Sequence, residues 1–407
     1  MTGWLALAAA LVATGAAANA PGLVVVAAIA AGYATLTRLW TRFGARNVSY
    51  ERRLGASRAV AGDSVALDIT VWNRKPLPLP WIAVDDLLTE GLTVRERPDL
   101  DHADERQHRR LLRNTWALTW FERVIRHFHL DDVRRGAYEL GPARLRIRDL
   151  FGRDAADDEV EGRTTLTVVP RSVPVTQVPT DRAPLGERRA PSSLVADPAL
   201  FSGVRPFQAG DGLRRVHWRA TARLGAPVSR RYEPARGRTV VIAVDVQTLD
   251  DVAHWEMAYD DDAFETLCVV AASLARRYLD DGASVGIAAA SFTGTPQRIA
   301  WLAPRAGMGQ VARVGELLAR IGPVSSMPFG ALLAWLARRL PSGATVVALS
   351  ARDARVVAPV LRRLGRSGFA VEAIGVASTW SGDALGFPVH AAHLTPDWQH
   401  PDGLRLS

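Results

Sequence analysis

The chain is poor in residues that stabilise small secreted proteins by cross-linking. Its 407 residues include a single cysteine, Cys268, which excludes an internal disulfide and a zinc site made of several cysteines. That cysteine lies in the apolar helical pattern FETLCVVAASLA, so we expect a buried, inert thiol. Lysine is equally scarce, with Lys75 as the single example, and residues 1–37 contain no charged side chain. The chain is therefore neither disulfide-rich nor a zinc-cluster protein.

The composition is otherwise that of a multidomain globular protein. Hydrophobic residues make up 48% and charged residues 23% of the chain, and the length predicts two or three domains. Residues 182–238 contain twelve arginines and four acidic residues, a surplus of eight that equals the net charge of +8. A bias towards arginine and alanine also follows from a GC-rich genome, so the arginine count alone is weak evidence for anion binding.

The uncharged amino-terminal segment predicts a transmembrane helical hairpin over residues 1–40. As one helix it would exceed about 50 Å, against a hydrocarbon core of about 30 Å. The sequence NAPG at 19–22 breaks it into helices near 3–19 and 23–39. A signal peptide cut after ANA at 18–20 is an alternative, opposed by the lack of basic residues before it and by Pro21. A soluble helical pair is a second alternative.

Several arginines lie at the end of this hairpin and directly after it, and they predict its orientation in the membrane. Positive charge next to a span favours the cytoplasmic side, so we expect a multi-pass protein of the inner or plasma membrane with most of its chain in the cytoplasm. The residues concerned are Arg38, Arg42, Arg46, Arg52 and Arg53.

Residues 48–175 predict a β-sandwich domain. In DSVALDITVWN, apolar and polar residues alternate from Val65 to Val71, as in a half-buried strand. Short strands separated by glycine and proline continue without a helical stretch, which is typical of an immunoglobulin-like sandwich. His127 and His129 lie on one face of a strand, but no third metal ligand accompanies them, so we expect exposed or hydrogen-bonded histidines.

Residues 239–378 predict an α/β domain with a mostly parallel sheet. Continuous apolar strands such as TVVIAVDV and ATVVALS alternate with amphipathic helices, a pattern typical of sheets covered on both faces. Ligands of such sheets bind at the carboxyl ends of the strands, which directs attention to Asp245 and Ser350. Residues 379–407 are interpreted as a carboxyl-terminal tail.

The connecting segment 176–238 contains GDGLRRVHWRATARLG, residues 210–225. The pattern predicts a helix capped by Asp211 and ended by Gly225. Its arginines favour either nucleic-acid binding, catalysis with His217 and Asp211 as an acid–base pair, or a structural or docking role. No nucleic-acid motif, nucleophile or phosphate-binding loop is nearby, so the structural or docking role is the favoured interpretation. The predicted apolar stripe is Leu213, Val216 and Ala220, and the predicted arginine ladder is Arg215, Arg219 and Arg223.

The segment FSGVRPFQAGDGLRRVHWRATARLGAPVSRRYE resembles the hallmark of the domain-of-unknown-function 58 family. A second segment, RRGAYELGPARLRIRDLFG, is similar to a further family pattern at Arg135, Gly136, Tyr138, Asp149 and Gly152. Phe207 and Val216 replace the usual tyrosine and isoleucine. The hallmark residues that match are Phe201, Gly203, Arg205, Gly210, Asp211, Arg214, His217, Trp218, Ala222 and Arg223.

The resemblance implies an architecture and a set of partners. It implies a bacterial membrane protein with a hairpin, a β-sandwich and a von Willebrand factor type A-like domain. It also implies action with a MoxR-type AAA+ ATPase in the assembly or maturation of client proteins, and a transglutaminase-like membrane protein as a further neighbour. The motif residues Arg205, Gly210, Asp211, Arg214, Arg215, His217, Trp218, Arg219 and Arg223 would then form an interdomain joint or a docking surface.

Type A domains hold Mg²⁺ with an Asp-x-Ser-x-Ser loop and two further loops, and here that pattern is degenerate. Asp245 is kept, but Gln247 and Leu249 replace the serines. The remaining oxygen ligands would be Ser325 and Ser350, with Mg²⁺ as the cation that such a set suits. We therefore expect neither a metal nor another cofactor.

Together these features predict a membrane-anchored interaction or scaffold protein without a catalytic residue of its own. Two alternatives stay open. The first is a hydrolase-like enzyme, which needs Asp211, His217 and Asp245 to converge in one cleft. The second is an anion-binding module for lipid headgroups or nucleic acid through residues 182–238, although no nucleic-acid partner is expected.

Overall fold

The computed structural model describes most of the chain and divides it into two compact units, Met1–Val168 and Val169–Ser407. The described residues are 10, 12–14, 21–44, 46–96, 101–104, 109–149, 154–176, 196–206, 216–234, 238–251, 256–293, 297–341, 343–376, 380, 387–395, 398–399 and 401–407.

Helix α1 of the first unit spans Pro21–Phe43. Pro21 suits the first helical position because its missing N–H has no helical partner there. The helix covers the second predicted span, 23–39, whereas the first, 3–19, lies largely outside the described residues. Within the part of the chain that the structure describes, no helix combines the length and the hydropathy needed to cross a membrane.

Two antiparallel sheets follow in the first unit. One has the strand order β1-β3-β8-β5, and the other has the order β2-β11-β9-β4-β7-β6, with β10 also paired to β9. The strands are β1 Val48–Leu54, β2 Arg58–Val60, β3 Val65–Asn73, β4 Leu79–Thr89, β5 Thr93–Val94, β6 Asp101–Asp104, β7 Arg109–Leu118, β8 Arg123–Asp131, β9 Gly136–Arg148, β10 Asp154–Val160 and β11 Thr164–Val169.

The two sheets share one hydrophobic core, so the unit is a sandwich. Every second side chain of β3, from Val65 to Val71, is buried in this core. Apolar residues of β4, β8 and β9 complete it. The alternation in the sequence is therefore confirmed for Val65, Leu67, Ile69 and Val71. His127 and His129 bind Asp68 and Glu96 through Nδ1, at 2.7 and 2.8 Å, as hydrogen-bonded surface residues.

The second unit is built on an eight-stranded sheet with the order β12-β21-β20-β19-β18-β15-β16-β17. Strands β16, β15, β18, β19 and β20 run parallel to one another. Strand β17 is antiparallel to β16, and β21 is antiparallel to β20 and parallel to β12. The sheet strands are β12 Val175–Thr176, β15 Thr239–Val244, β16 Ser284–Ala289, β17 Ala300–Arg305, β18 Thr345–Ser350, β19 Ala370–Gly375, β20 Val389–Thr395 and β21 Gly403–Leu406. A separate pair consists of β13 Ala196–Pro206 and β14 Val228–Pro234.

Helices cover both faces of this sheet. Helices α3 (Asp261–Asp280) and α4 (Gly309–Arg320) pack on one face, and α5 (Phe329–Ala337) and α6 (Ala354–Arg366) pack on the other. Cys268 is fully buried in α3, as predicted. The predicted mostly parallel sheet between two helical layers is confirmed, because strands covered on both faces read as continuous apolar runs.

Two sequence interpretations are wrong in detail. Residues 379–407 are not a simple tail, because β20 and β21 extend the sheet. The helix of the motif segment, α2 (Trp218–Leu224), begins at residue 218 and not directly after Asp211, the predicted cap. Val216 instead bridges to Ser229, and the N–H of His217 donates to the carbonyl oxygen of Val228. This strand-like pairing keeps both residues out of the helix.

Candidate functional site

The candidate site lies at the carboxyl edge of the parallel strands in the second unit. From β15 the chain passes to β16 and β17 on one side, and later to β18, β19 and β20 on the other. The carboxyl ends of β15 and β18 therefore flank the point where the strand order reverses, where ligands of such sheets bind. Asp245 follows β15 directly, and Ser350 ends β18, so the structure brings these two predicted residues together.

Asp245 is buried and neutralised by a side chain of the same unit. The Ser350 hydroxyl donates to its Oδ2 over 3.0 Å, and Nε of Arg352 donates to the same oxygen over 2.8 Å. A second guanidinium nitrogen of Arg352 lies 2.7 Å away; Asp245 is buried, and the Arg352 side chain is 12% exposed. Burial raises the pKa of Asp245, while Arg352 and Ser350 lower it by stabilising the carboxylate.

The arrangement around Asp245 does not fit a Mg²⁺ site. Arg352 already supplies the positive charge that a cation would bring to the carboxylate. Ser325 is the third metal ligand predicted from the sequence. Its hydroxyl donates to the carbonyl oxygen of Met327 over 2.7 Å and not to Asp245. Among the described residues, no group of three or more histidine, cysteine, aspartate or glutamate side chains has the spacing of a metal site.

The loops beside Asp245 are held by further hydrogen bonds. Asp353 does not turn inward: its Oδ1 accepts from the N–H of Arg355 over 2.7 Å and caps α6. The indole N–H of Trp380 donates to the carbonyl oxygen of Arg352 over 2.7 Å. Trp380 lies against the backbone of Gly375, where an added Cβ would be 1.8 Å from the ring. These contacts give the edge a fixed shape.

Sequence reasoning missed Arg352, although it stands two residues after Ser350 in LSARD. The sequence does contain a signal for Arg352: a basic side chain two positions beyond the end of one strand can reach a carboxylate at the end of the neighbouring strand. The similarity to metal-binding loops does not predict this pairing, because the partner of the aspartate in those loops is an ion.

Exposed apolar side chains accompany this edge. Met257 and Tyr259 lie between β15 and α3, Phe292 follows β16, and Val356 begins α6. Met257 is 76% exposed and Phe292 52%. We call these four residues the edge patch. Exposed acidic residues lie between β15 and α3 and in the first turn of α3: Asp250, Asp251, Glu256, Asp260, Asp261 and Asp262.

The motif segment is described only in part. His217 caps α2, its Nδ1 accepting from the N–H of Ala220 over 3.1 Å, and Gly225 ends the helix with a φ of 67°. Trp218, Arg219 and Arg223 are exposed. Of the other predicted site residues, Gly210, Asp211, Arg214 and Arg215 lie outside the described residues, and Arg205 is described in its backbone alone, within β13. The joint between domains therefore stays a prediction.

The motif region matches a known family. Residues 203–350 fit the family model described as protein of unknown function DUF58. Residues 203–350 are thus similar to this family. The resemblance predicted from the hallmark is thereby confirmed, and it spans β14, α2 and the strands that carry Asp245 and Ser350. The match joins the motif segment and the carboxyl edge in one family region.

Individual relatives add little beyond this match. The chain is 24% identical over 253 residues to the uncharacterized protein YeaD of Bacillus subtilis (strain 168), which covers 60% of this chain and 56% of that protein. A CARDB domain from Pyrococcus furiosus matches 30% of this chain and 91% of its own, with 11% identity and a TM-score of 0.21. A beta-glucosidase from Listeria innocua matches 30% of this chain and 16% of its own, with 14% identity and a TM-score of 0.18. Both TM-scores are too low to support a conclusion about this chain.

Proposed function

We propose that this chain is a membrane-anchored docking protein whose second unit binds a partner protein through the carboxyl edge of its sheet. The observation that carries the proposal is the edge patch beside an aspartate that Arg352 already neutralises. A reactive or metal-binding carboxylate has to face its ligand, whereas Asp245 is buried and paired. Apart from the exposed Arg298 and Arg355, what the edge offers to solvent is apolar and acidic surface.

Exposed apolar side chains with a polar surround are typical of protein–protein interfaces. Met257 and Phe292 follow the neighbouring strands β15 and β16, so they belong to one side of the unit. The acidic residues of this edge favour a partner with a basic surface, since complementary charge speeds association and excludes wrong partners.

The class of partner comes from the family resemblance. We propose a MoxR-type AAA+ ATPase, with client proteins assembled or matured by the pair and a transglutaminase-like membrane protein as a further neighbour. A von Willebrand factor type A-like character of the second unit belongs to the same proposal. The strand order supports it: counted from β15, the order is 3-2-1-4-5-6, and the third strand is antiparallel.

Membrane anchoring belongs to the proposal as well. Its support is the uncharged stretch 1–37 followed by arginines. On this proposal α1 is part of the anchor, and the remaining chain is on the cytoplasmic side of the cell membrane.

The proposal is tested by co-purification from membranes at low salt, with the tagged full-length chain as bait. We expect an AAA+ ATPase in the wild-type eluate and its loss with Met257→Ser/Phe292→Ser. The matched control is Met308→Ser, which changes an exposed methionine at the opposite edge of the sheet. Repeated absence of an ATPase, or equal recovery with all three proteins, would contradict the proposal.

A further inference from the structure

The first unit exposes two adjacent aromatic side chains at the tip of a hairpin. Trp120 and Phe121 connect β7 to β8 and are 66% and 61% exposed. The backbone of Phe121 has a φ of 53°, a left-handed conformation that few bulky residues adopt. Aromatic side chains of this size usually bury 150–250 Å² each, so two in succession on the surface indicate a place of contact.

The hairpin tip has a fixed shape. The carboxylate of Glu122 accepts from the N–H of Thr119 over 2.6 Å and from its hydroxyl over 2.8 Å. The N–H of Asn73 donates to the carbonyl oxygen of Glu122 over 2.8 Å, and its side-chain amide donates to the carbonyl oxygen of Thr119 over 2.7 Å. The aromatic side chains are thus held outward by the loops beneath them.

The tip lies at the same end of the unit as the carboxyl end of α1. The N–H of Phe121 donates to the carbonyl oxygen of Lys75 over 3.2 Å. The ammonium group of Lys75 in turn binds the carbonyl oxygens of Gly44 and Arg46, the latter over 2.8 Å. The indole N–H of Trp40 donates to the carbonyl oxygen of Pro78 over 3.2 Å. Hydrogen bonds therefore join the helix end, the loop at 74–78 and the hairpin tip.

Basic side chains surround this end. Arg42 and Arg46 at the end of α1, Arg74 in the adjoining loop and Arg123 at the start of β8 are all exposed. The nearby carboxylate of Glu122 is occupied by Thr119. Arginines attract anionic lipid headgroups, and tryptophan settles at the boundary between headgroups and acyl chains.

The helix that leads to this end is apolar on its exposed side. Val25, Val26 and Ile29 of α1 are all more than half exposed. Along the helix, exposed apolar side chains are followed by exposed arginines and aromatic side chains. A bilayer presents matching layers in the same order, first hydrocarbon and then headgroups.

We propose that the end of the first unit formed by residues 119–123, 74–78, 42–44 and 46–47 is a membrane-facing surface. Trp120 and Phe121 insert into the interfacial layer of an anionic bilayer, and the surrounding arginines bind lipid phosphates. The inference rests on the membrane anchoring included in the proposed function and adds a second contact that fixes the orientation of the sandwich on the bilayer.

The test uses full-length protein on vesicles with an environment-sensitive fluorophore on a single introduced cysteine. Cys268 is buried and does not compete for the label. Label positions are Trp120→Cys at the tip, Ile125→Cys further along β8, and Ser57→Cys near the opposite ends of β1 and β3. Vesicles contain either phosphatidylcholine alone or an equal mixture with phosphatidylglycerol, and flotation records binding separately.

We expect an emission rise of at least about twofold with a blue shift at position 120 on anionic vesicles. Position 57 should show no change, and position 125 a smaller change than position 120. Flotation without a change at position 120 would overturn this inference while leaving the anchor intact. No flotation at all would overturn the anchor and the inference together. A signal at position 120 that requires added ATPase and no lipid would assign the tip to a protein interface and would also overturn the inference.

Discussion

At the scale of single residues, the carboxyl edge depends on Arg352. Its guanidinium is the internal counter-charge of Asp245, and both side chains are almost inaccessible to solvent. An ion pair in this position contributes little net stability compared with apolar residues, but loss of one partner leaves a buried charge without compensation.

Replacement of Arg352 by methionine should therefore destabilise the second unit by about 3 kcal/mol. The exposed neighbour Arg355 provides the control, and Arg355→Met should stay within about 0.5 kcal/mol of wild type. The measurement is the free energy of unfolding in urea at pH 7. An unpaired Asp245 takes up a proton more readily. The difference in free energy of unfolding between wild type and Arg352→Met should therefore shrink as the pH is lowered. Equal stability of the two variants would contradict the assigned pairing.

Asp86 in the first unit offers a second test at this scale. It is fully buried, accepts from the Tyr50 hydroxyl over 2.6 Å and lies 3.3 Å from a guanidinium nitrogen of Arg52. Burial raises the pKa of Asp86 from 3.8 to about 6, although Arg52 and Tyr50 act in the opposite direction.

The native state then binds the proton of Asp86 more tightly than the unfolded state. The contribution of this group to stability is present below pH 3.8 and is lost as the pH rises through about 6. Carboxyl-carbon NMR, with Asp86→Asn to assign the signal, should give a midpoint near 6. A midpoint below 4 would show that the pairing with Arg52 outweighs burial.

At the scale of elements, the short helix α2 shows how the caps of the hallmark motif are used. Gly225 ends the helix with a positive φ, and the space around its missing Cβ is open. A side chain at position 225 would therefore destabilise the helix end through its unfavourable backbone conformation and not through a steric clash.

Gly225→Ala should weaken α2 by about 1 kcal/mol. Gly309→Ala is the matched control, because Gly309 begins α4 with equally open space but without a positive φ. Hydrogen exchange of the amides of α2 and α4 measures both effects. Faster exchange in α2 is expected for the first variant, and unchanged or slower exchange in α4 for the second. Unchanged exchange in α2 would contradict the role given to Gly225.

The elements also show where sequence patterns suffice. The amphipathic helices predicted between the apolar strands are observed, among them Gly309–Arg320, Phe329–Ala337 and Ala354–Arg366, because each has an apolar face and a clear end. The sequence pattern does not predict the start of α2, because Val216 has helical spacing from Ala220 but is paired as in a strand. Pairing of Val216 with Ser229 depends on a strand that follows in the chain, which a local pattern does not reveal.

At the scale of the whole molecule, the sequence predicted the α/β composition, the mostly parallel sheet and the family of residues 203–350. It also indicated Asp245 and Ser350 as neighbours, because strand ends of a parallel sheet meet at one edge. It did not reveal Arg352 as their partner or the edge patch. Both depend on side chains from separate loops that only the folded sheet brings together.

The central claim is that this edge is a docking surface for a protein. The most direct measurement is the dissociation constant between the purified chain and the co-purified ATPase, by calorimetry, for wild type, Met257→Ser/Phe292→Ser and Met308→Ser. The account predicts a loss of at least about tenfold for the edge variant, a difference of about 1.4 kcal/mol, and no change for Met308→Ser. Equal dissociation constants for all three proteins would contradict it.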